Sequence, residues 1–245
     1  MFNFGLANEK QRKNWLAETI RLIPRGSRIL DAGAGELANK PLCTHLDYVS
    51  MDTCQYEGTG DQAGLHTGTW NTGRIDLVGD ITAVPQPDES FDAILCSEVF
   101  EHLPDPLPAL EEFARLTKSG GLLILTAPFC SLTHFAPYHF SSGFNRYWYE
   151  HHLPANGFEV IEIVPNGNWF EYIAQELHRL PSVAAKYSSG IGGKIAYALA
   201  IPLLMLLWIL GGSRRDRGSN ELLTFGWHVV ARRQRSERAT HDPQA

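Results

Sequence analysis

The stretch RILDAGAGE at residues 28–36 constrains this chain more than any other: an apolar strand runs into an acid and then into two glycines spaced by one. Gly33 and Gly35 lack a side chain, so the backbone can turn sharply and a ligand can approach the main chain, while a following helix presents its N-terminal amides. Asp31 stands two residues before the first glycine. A carboxylate there repels a pyrophosphate and favours a cationic or amine-bearing ligand. The turn therefore suits a nucleoside with positive charge nearby better than a dinucleotide. Taken alone it is not decisive, because Gly33, Gly35 and Ala38 also satisfy the dinucleotide glycine pattern, and such a turn can bind nothing at all.

The downstream strands decide more. The run at 47–52 ends in Asp52, 21 residues after Asp31 and close to the interval expected for an acid that holds ribose hydroxyls. A third run, 75–80, ends in Asp80, and a fourth, 90–98, has Ser97 and Glu98 at its exit. Leu107–Leu116 has helical apolar spacing, Ser119-Gly120-Gly121 stops it, and 122–127 reads as a fifth strand. Acids at the ends of consecutive strands predict an α/β, doubly wound, Rossmann-like sheet, which with two further strands, at 158–164 and 225–231, has seven strands.

On DAGAGE, the acid Asp52, Gly79-Asp80, PDESFDAILCSEVFEHLPDP and KSGGLLILTAPF, residues 25–165 resemble the class I S-adenosylmethionine-dependent methyltransferases. The likeness is to their small-molecule branch, which includes the ubiquinone and menaquinone methyltransferases. The resemblance implies S-adenosylmethionine as cofactor. By position it gives the methionine end to Asp31, Gly33 and Gly35, the ribose to Asp52 and Thr53, and the adenine to Asp80 and Ile81. Ser97, at the exit of the fourth strand, joins this cofactor-binding group.

Composition fits a cytoplasmic enzyme of one domain spanning 1–245: 44% hydrophobic residues over 245 positions are enough for one full core. A net charge of -6, with no basic cluster before residue 214, excludes a nucleic-acid substrate. Cys43, Cys54, Cys96 and Cys130 form no CxxC pair and read as reduced thiols, so no metal site is expected.

Residues 1–24 predict an N-terminal helix opened by an Asn8/Gln11 capping box, with Trp15, Leu16, Thr19, Ile20 and Ile23 on one face. It either packs on the sheet edge or forms a lid through Phe2, Phe4 and Trp15. Residues 54–74 read as a long polar loop, either an active-site cover or a simple insertion, in which His66 has no obvious partner.

The acceptor side is expected after the fifth strand. Residues 129–152 hold eight of the 26 aromatics and four of the ten histidines. Aromatic walls exclude water and hold a planar or cationic acceptor. Phe144, Tyr147 and Trp148 read instead as the buried face of a helix ending at Asn156-Gly157, with His151 and His152 solvated. If the acceptor is a hydroxyl, its proton needs a base. His139 and His134 lead as candidates and His102 is third; a carbon or nitrogen acceptor needs none.

Between the sixth strand, 158–164, and the last, 225–231, stands the main departure from the family pattern, a helical hydrophobic insertion at 168–213. Its first helix is expected to end at Pro181, and 186–193 reads as a polar link. Residues 195–213 are 19 positions without a charge. As a helix they would span about 28 Å, near the roughly 30 Å of bilayer hydrocarbon. Crossing is excluded on topology, because the last strand must rejoin the sheet. Residues 195–210, with Arg214, Arg215 and Arg217 beyond, are expected at a membrane surface, at a homodimer seam, or buried. The tail 236–245 is expected to be disordered.

The reading is a methyltransferase acting on a small-molecule, lipid or saccharide acceptor. A non-catalytic S-adenosylmethionine-binding protein, a nicotinamide-dependent oxidoreductase and a purely structural module are the alternatives. Asp31 and SFDAILCSEVFEHLPDP do not fit the oxidoreductase.

Overall fold

The computed structural model describes residues 3–62, 64–188, 192–212 and 215–235. Phe2, Arg214 and the tail 236–245 lie outside the described residues. Seven strands form one sheet: β1 (Arg28–Ala32), β2 (Asp47–Asp52), β3 (Leu77–Val78), β4 (Phe91–Ser97), β5 (Thr117–Pro128), β6 (Phe158–Asn166) and β7 (Gly226–Arg233). Their order is β3-β2-β1-β4-β5-β7-β6, with β7 antiparallel to both neighbours. The chain winds outward in one direction from β1 and in the other from β4. The carboxyl ends of these two adjacent parallel strands therefore make the switch-point crevice where open α/β sheets bind ligands.

Side-chain alternation along β1 divides the core. Leu30 and Ala32 join Phe113 and Leu116 of α2 (Leu107–Leu116) and Tyr149 and Leu153 of α3 (Arg146–Ala155). Ile29 points the other way, to Leu16 and Ile20 of α1 (Asn8–Arg21). Burying each of these large apolar side chains contributes about 1.5–3 kcal/mol, and both faces of the sheet are covered.

Several local expectations are corrected. No α-helix follows the glycine turn; turns lead instead to a short 3-10 helix, Lys40–Cys43, with a proline in its first positions and Leu37 at φ 64° just before it. β3 is only Leu77–Val78, an edge strand, and Asp76 before it caps the β2 edge by accepting from Ser50 N and Oγ at 2.9 and 2.7 Å. Asn8 makes no capping box; its side chain meets Asn166 Nδ2 at 2.8 Å and so ties α1 to the end of β6. In α3 the buried positions are Tyr149 and Leu153, one helical turn apart, with Phe144 packed just ahead, while Tyr147 falls on the solvent side at 60% exposure. Asn156 and Gly157, at φ 76°, close that helix as expected.

The insertion is a helical hairpin of α4 (Trp169–Tyr187) and α5 (Gly192–Gly211). Asn168 caps α4 by accepting from Glu171 N at 3.0 Å, and α4 runs through Pro181 rather than stopping there. Ala174, Leu204 and Leu207 are the buried centre of the hairpin, with Phe4, Phe170 and Tyr197 around them. The opposite side of α5 is open: Leu199, Leu203, Met205, Leu206 and Trp208 are all exposed. No helix among the described residues is long and apolar enough to cross a membrane.

Candidate functional site

Two cavities, of about 360 and 520 Å³, occupy the crevice at the ends of β1 and β4 and share Gly33, Gly35, Glu98 and His102 in their walls. Asp52, Thr53, Asp80 and Ile81 line the smaller one, and Ser97 lines the larger. The glycine turn has no room for side chains. Gly33 and Gly35 sit at φ 82° and 51°, where a Cβ would lie 2.4 Å from Val99 and 2.6 Å from Trp70 respectively. The amides of Gly33 and Ala34 donate to the Met51 carbonyl, and Gly35 N donates to Asp52 Oδ2 at 2.9 Å. Asp52 Oδ1 accepts from Cys54 N at 2.8 Å. The end of β2 thus shapes the turn after β1.

Asp31 lies beneath this turn and lines neither cavity. It is buried, and Oδ2 accepts from Tyr48 OH at 2.7 Å. Burial pushes its carboxyl up to about 6. A buried carboxylate close to the turn favours a positive charge nearby.

The loop after β2 lies against the crevice, with Tyr56 and Trp70 in its walls. Trp70 stands against Gly35, Tyr56 stacks on Phe135 at 4.4 Å, and Trp70 meets Phe135 edge-on at 5.2 Å. His66, for which the sequence offered no partner, bonds Tyr56 OH through Nδ1 at 2.9 Å. A parallel bridge joins Leu65 to His134, so the loop is laced to the segment after β5. The end of α4 holds its far side: Lys186 Nζ donates to the Gln62 carbonyl and Tyr187 OH accepts from Gly64 N, both at 3.2 Å.

The larger cavity is polar on one wall. His102 and His134 line it beside Glu101, whereas His139 lines neither cavity. The leading base candidate therefore stands one layer back, with Nε2 at 3.1 Å from Ser131 Oγ and its ring 4.7 Å from that of His134. Burial lowers His102 to about 4 and also lowers His134 and His139, so these rings are neutral at pH 7. Glu101 is 1% exposed, and burial followed by the nearby Glu98 charge raises its carboxyl well above the usual range. Nearby, Arg12 of α1 pairs with Glu98 at 2.9 Å, and Thr126 Oγ1 donates to Glu98 at 3.0 Å. α1 therefore borders the site, but not through Phe4 or Trp15: Phe4 packs in the hairpin, and Trp15 stacks on His228 at 4.8 Å.

Sequence reasoning missed Glu101, Arg12, Trp70 and Tyr56. Trp70 and Tyr56 carried a signal, as aromatics in a polar loop. Glu101 stands in the quoted FEHLPDP stretch beside His102, whereas Arg12 carried no signal, since only the fold brings it to the crevice.

Residues 30–125 match a family model described as a methyltransferase domain. The demethylmenaquinone methyltransferase of Renibacterium salmoninarum is 33% identical over 121 residues, covering 47% of this chain and 48% of that protein. The ubiquinone biosynthesis O-methyltransferase of Xanthomonas axonopodis pv. citri is 32% identical over 111 residues, covering 44% and 46%. The chain thus matches about half the length of these curated relatives. Among solved structures, the phosphoethanolamine N-methyltransferase 2 of Haemonchus contortus, in complex with S-adenosyl-L-methionine, shares the fold with a TM-score of 0.52 at 18% identity, over 91% of this chain and 52% of that one.

Proposed function

We propose that this chain, whose residues 30–125 form a methyltransferase domain of the S-adenosylmethionine-dependent class, transfers a methyl group to a small apolar or aromatic acceptor. The observation that carries this reading is the pair of cavities meeting at Gly33, Gly35, Glu98 and His102. One has the acids and glycine turn for a nucleoside; the other has room for a second molecule. The names of the curated relatives point to quinone-type acceptors, and an apolar ring bearing oxygen suits a cavity walled by Phe135, Leu132 and two imidazoles.

S-adenosylmethionine supplies an electrophilic methyl on a sulfonium. Asp52 holds the ribose, Asp80 and Ile81 flank the adenine, and the Asp31 carboxylate beneath the turn favours the cationic end. Trp70, Tyr56 and Phe135 close over the junction and exclude water. Holding two reactants in line supplies about 7–11 kcal/mol of the barrier reduction in well-oriented systems, so positioning is the chain's chief task. His102 and His134 line the acceptor side of the larger cavity, and His139 packs behind them against His134 and Ser131.

The open face of α5 supports a finer reading, contact with a membrane surface, which would deliver a lipid-like acceptor. A helix apolar on all sides with one packed stripe leaves too much apolar area for an ordinary surface helix. Incubation with methyl-labelled S-adenosylmethionine and lipid extract tests the whole proposal. Label passing into an organic-soluble product supports it, and binding without any transfer supports the non-catalytic alternative.

A further inference from the structure

Glu101, His102 and His134 bring three metal-ligating atoms within 4.8 Å of one another on the wall of the larger cavity. The backbone fixes the state of both rings. His102 Nδ1 lies 2.5 Å from the Tyr138 carbonyl and His134 Nδ1 lies 2.9 Å from the Leu132 carbonyl. A carbonyl oxygen only accepts, so each Nδ1 carries the hydrogen and each Nε2 presents a lone pair.

Those Nε2 atoms stand 3.8 and 3.9 Å from the same oxygen, Glu101 Oε1. These separations are too long for hydrogen bonds. Glu101 is 1% exposed, its other oxygen Oε2 has no partner, and among the described residues only these two imidazoles form an ion-pair contact with it. A proton on the carboxyl could serve one imidazole at most. Three electron-rich atoms thus face one another on the cavity wall, at separations that a bridging cation closes.

We propose that Glu101, His102 and His134 bind a divalent transition-metal ion, zinc or ferrous iron in kind, with its open positions toward the larger cavity. Two imidazoles and one carboxylate with positions left over are the donor set of catalytic zinc and of non-haem ferrous sites. Tetrahedral coordination with bonds of about 2.1 Å places ligand atoms roughly 3.4 Å apart, so side-chain movements of about an ångström close the site. The Tyr138 and Leu132 carbonyls already supply the outer hydrogen bonds that orient metal-bound imidazoles. His139, turned to Ser131, is not a ligand. An acceptor oxygen taking an open position rests on the methyl-transfer reading; binding of the ion does not.

The test uses the tag-free full chain, stripped with chelator and titrated with Zn²⁺ by calorimetry and with Co²⁺ by visible absorption, without S-adenosylmethionine. One ion per chain and the d–d bands of a site containing nitrogen ligands are expected. His134→Ala, on an exposed loop, and Glu101→Gln should each weaken binding at least about tenfold, while His151→Ala leaves it unchanged. Calorimetry with S-adenosylmethionine on the same variants checks that they are folded. Absence of stoichiometric binding in the wild type, or binding that His134→Ala and Glu101→Gln leave intact, overturns the site. Failure of the wild type to bind S-adenosylmethionine while it binds metal overturns the methyl-transfer reading alone.

Discussion

Asp52 Oδ2 accepts the amide hydrogen of Gly35 at 2.9 Å, so the acid that ends β2 clamps the glycine turn that ends β1. One carboxylate both shapes the turn and borders the smaller cavity.

Replacing Asp52 by Ala removes this clamp and the charge-assisted hydrogen bonds to the ribose, each worth about 1.5–3 kcal/mol. Affinity for S-adenosylmethionine should fall about ten- to a hundredfold, measured by calorimetry. Asp52→Asn keeps one acceptor and should lose less. Unchanged affinity in a folded Asp52→Ala protein removes Asp52 from the site.

Asp31 gives a pH signature. Burial raises its carboxyl from 3.8 to about 6, so its contribution to stability is fully present below the unfolded value and is lost as pH rises through 6. A difference of about two pKa units corresponds to about 3 kcal/mol. Without cofactor, Asp31→Asn should therefore be more stable than wild type at pH 8 by up to that amount, and equal to it near pH 3. Denaturant titration at the two pH values reads this, and the same variant should bind S-adenosylmethionine more weakly. Equal stability at both pH values would show that Asp31 is not strained.

Much of this site was legible because its chemistry lies at strand ends that the apolar runs announce. Asp52, Asp80 and Ser97 come to the crevice through the parallel register of β1, β2, β3 and β4. Asp31 is different: its distance along the chain was right, but alternation turns it below the turn, not into the cavity. His102 ranks below His139 in the sequence because a histidine after glutamate is a regular feature of the family's strand-four exit, while cavity access depends on how 129–145 folds back onto the 3-10 turn Phe100–His102. Pro181 misled for a related reason. A proline forfeits one helical hydrogen bond, and the packing of α4 on α5 outweighs that loss.

Gly35 and Trp70 form a coupled pair. Gly35→Ala places a methyl 2.6 Å from Trp70 Cζ2 at φ 51°, so the cover must lift and cofactor affinity should drop. Trp70→Ala should also weaken binding by opening the cavity. The double variant should lose less than the sum of the two, with a coupling of about 0.5–3 kcal/mol in a double-mutant cycle. Strict additivity would show that Trp70 does not sit over the glycine in solution.

On α5, the contrast between faces is testable. Leu207 is buried, so a variant that includes it would damage the hairpin core. Gln at Leu199, Leu203 and Leu206, all exposed, should release the protein from anionic vesicles and leave the melting temperature and cofactor binding nearly unchanged. Leu204→Gln, in the packed stripe, should instead cost about 2–5 kcal/mol of stability. A wild-type chain that ignores vesicles and a triple variant that turns a dimer into a monomer would assign this face to a second copy.

The central claim, that the crevice between β1 and β4 takes S-adenosylmethionine, is tested most directly by calorimetric titration of the full chain with that cofactor in the presence and absence of excess NAD. The account predicts saturable one-site binding that NAD does not displace. Binding of NAD in its place, or no binding of S-adenosylmethionine by the folded protein, would contradict it.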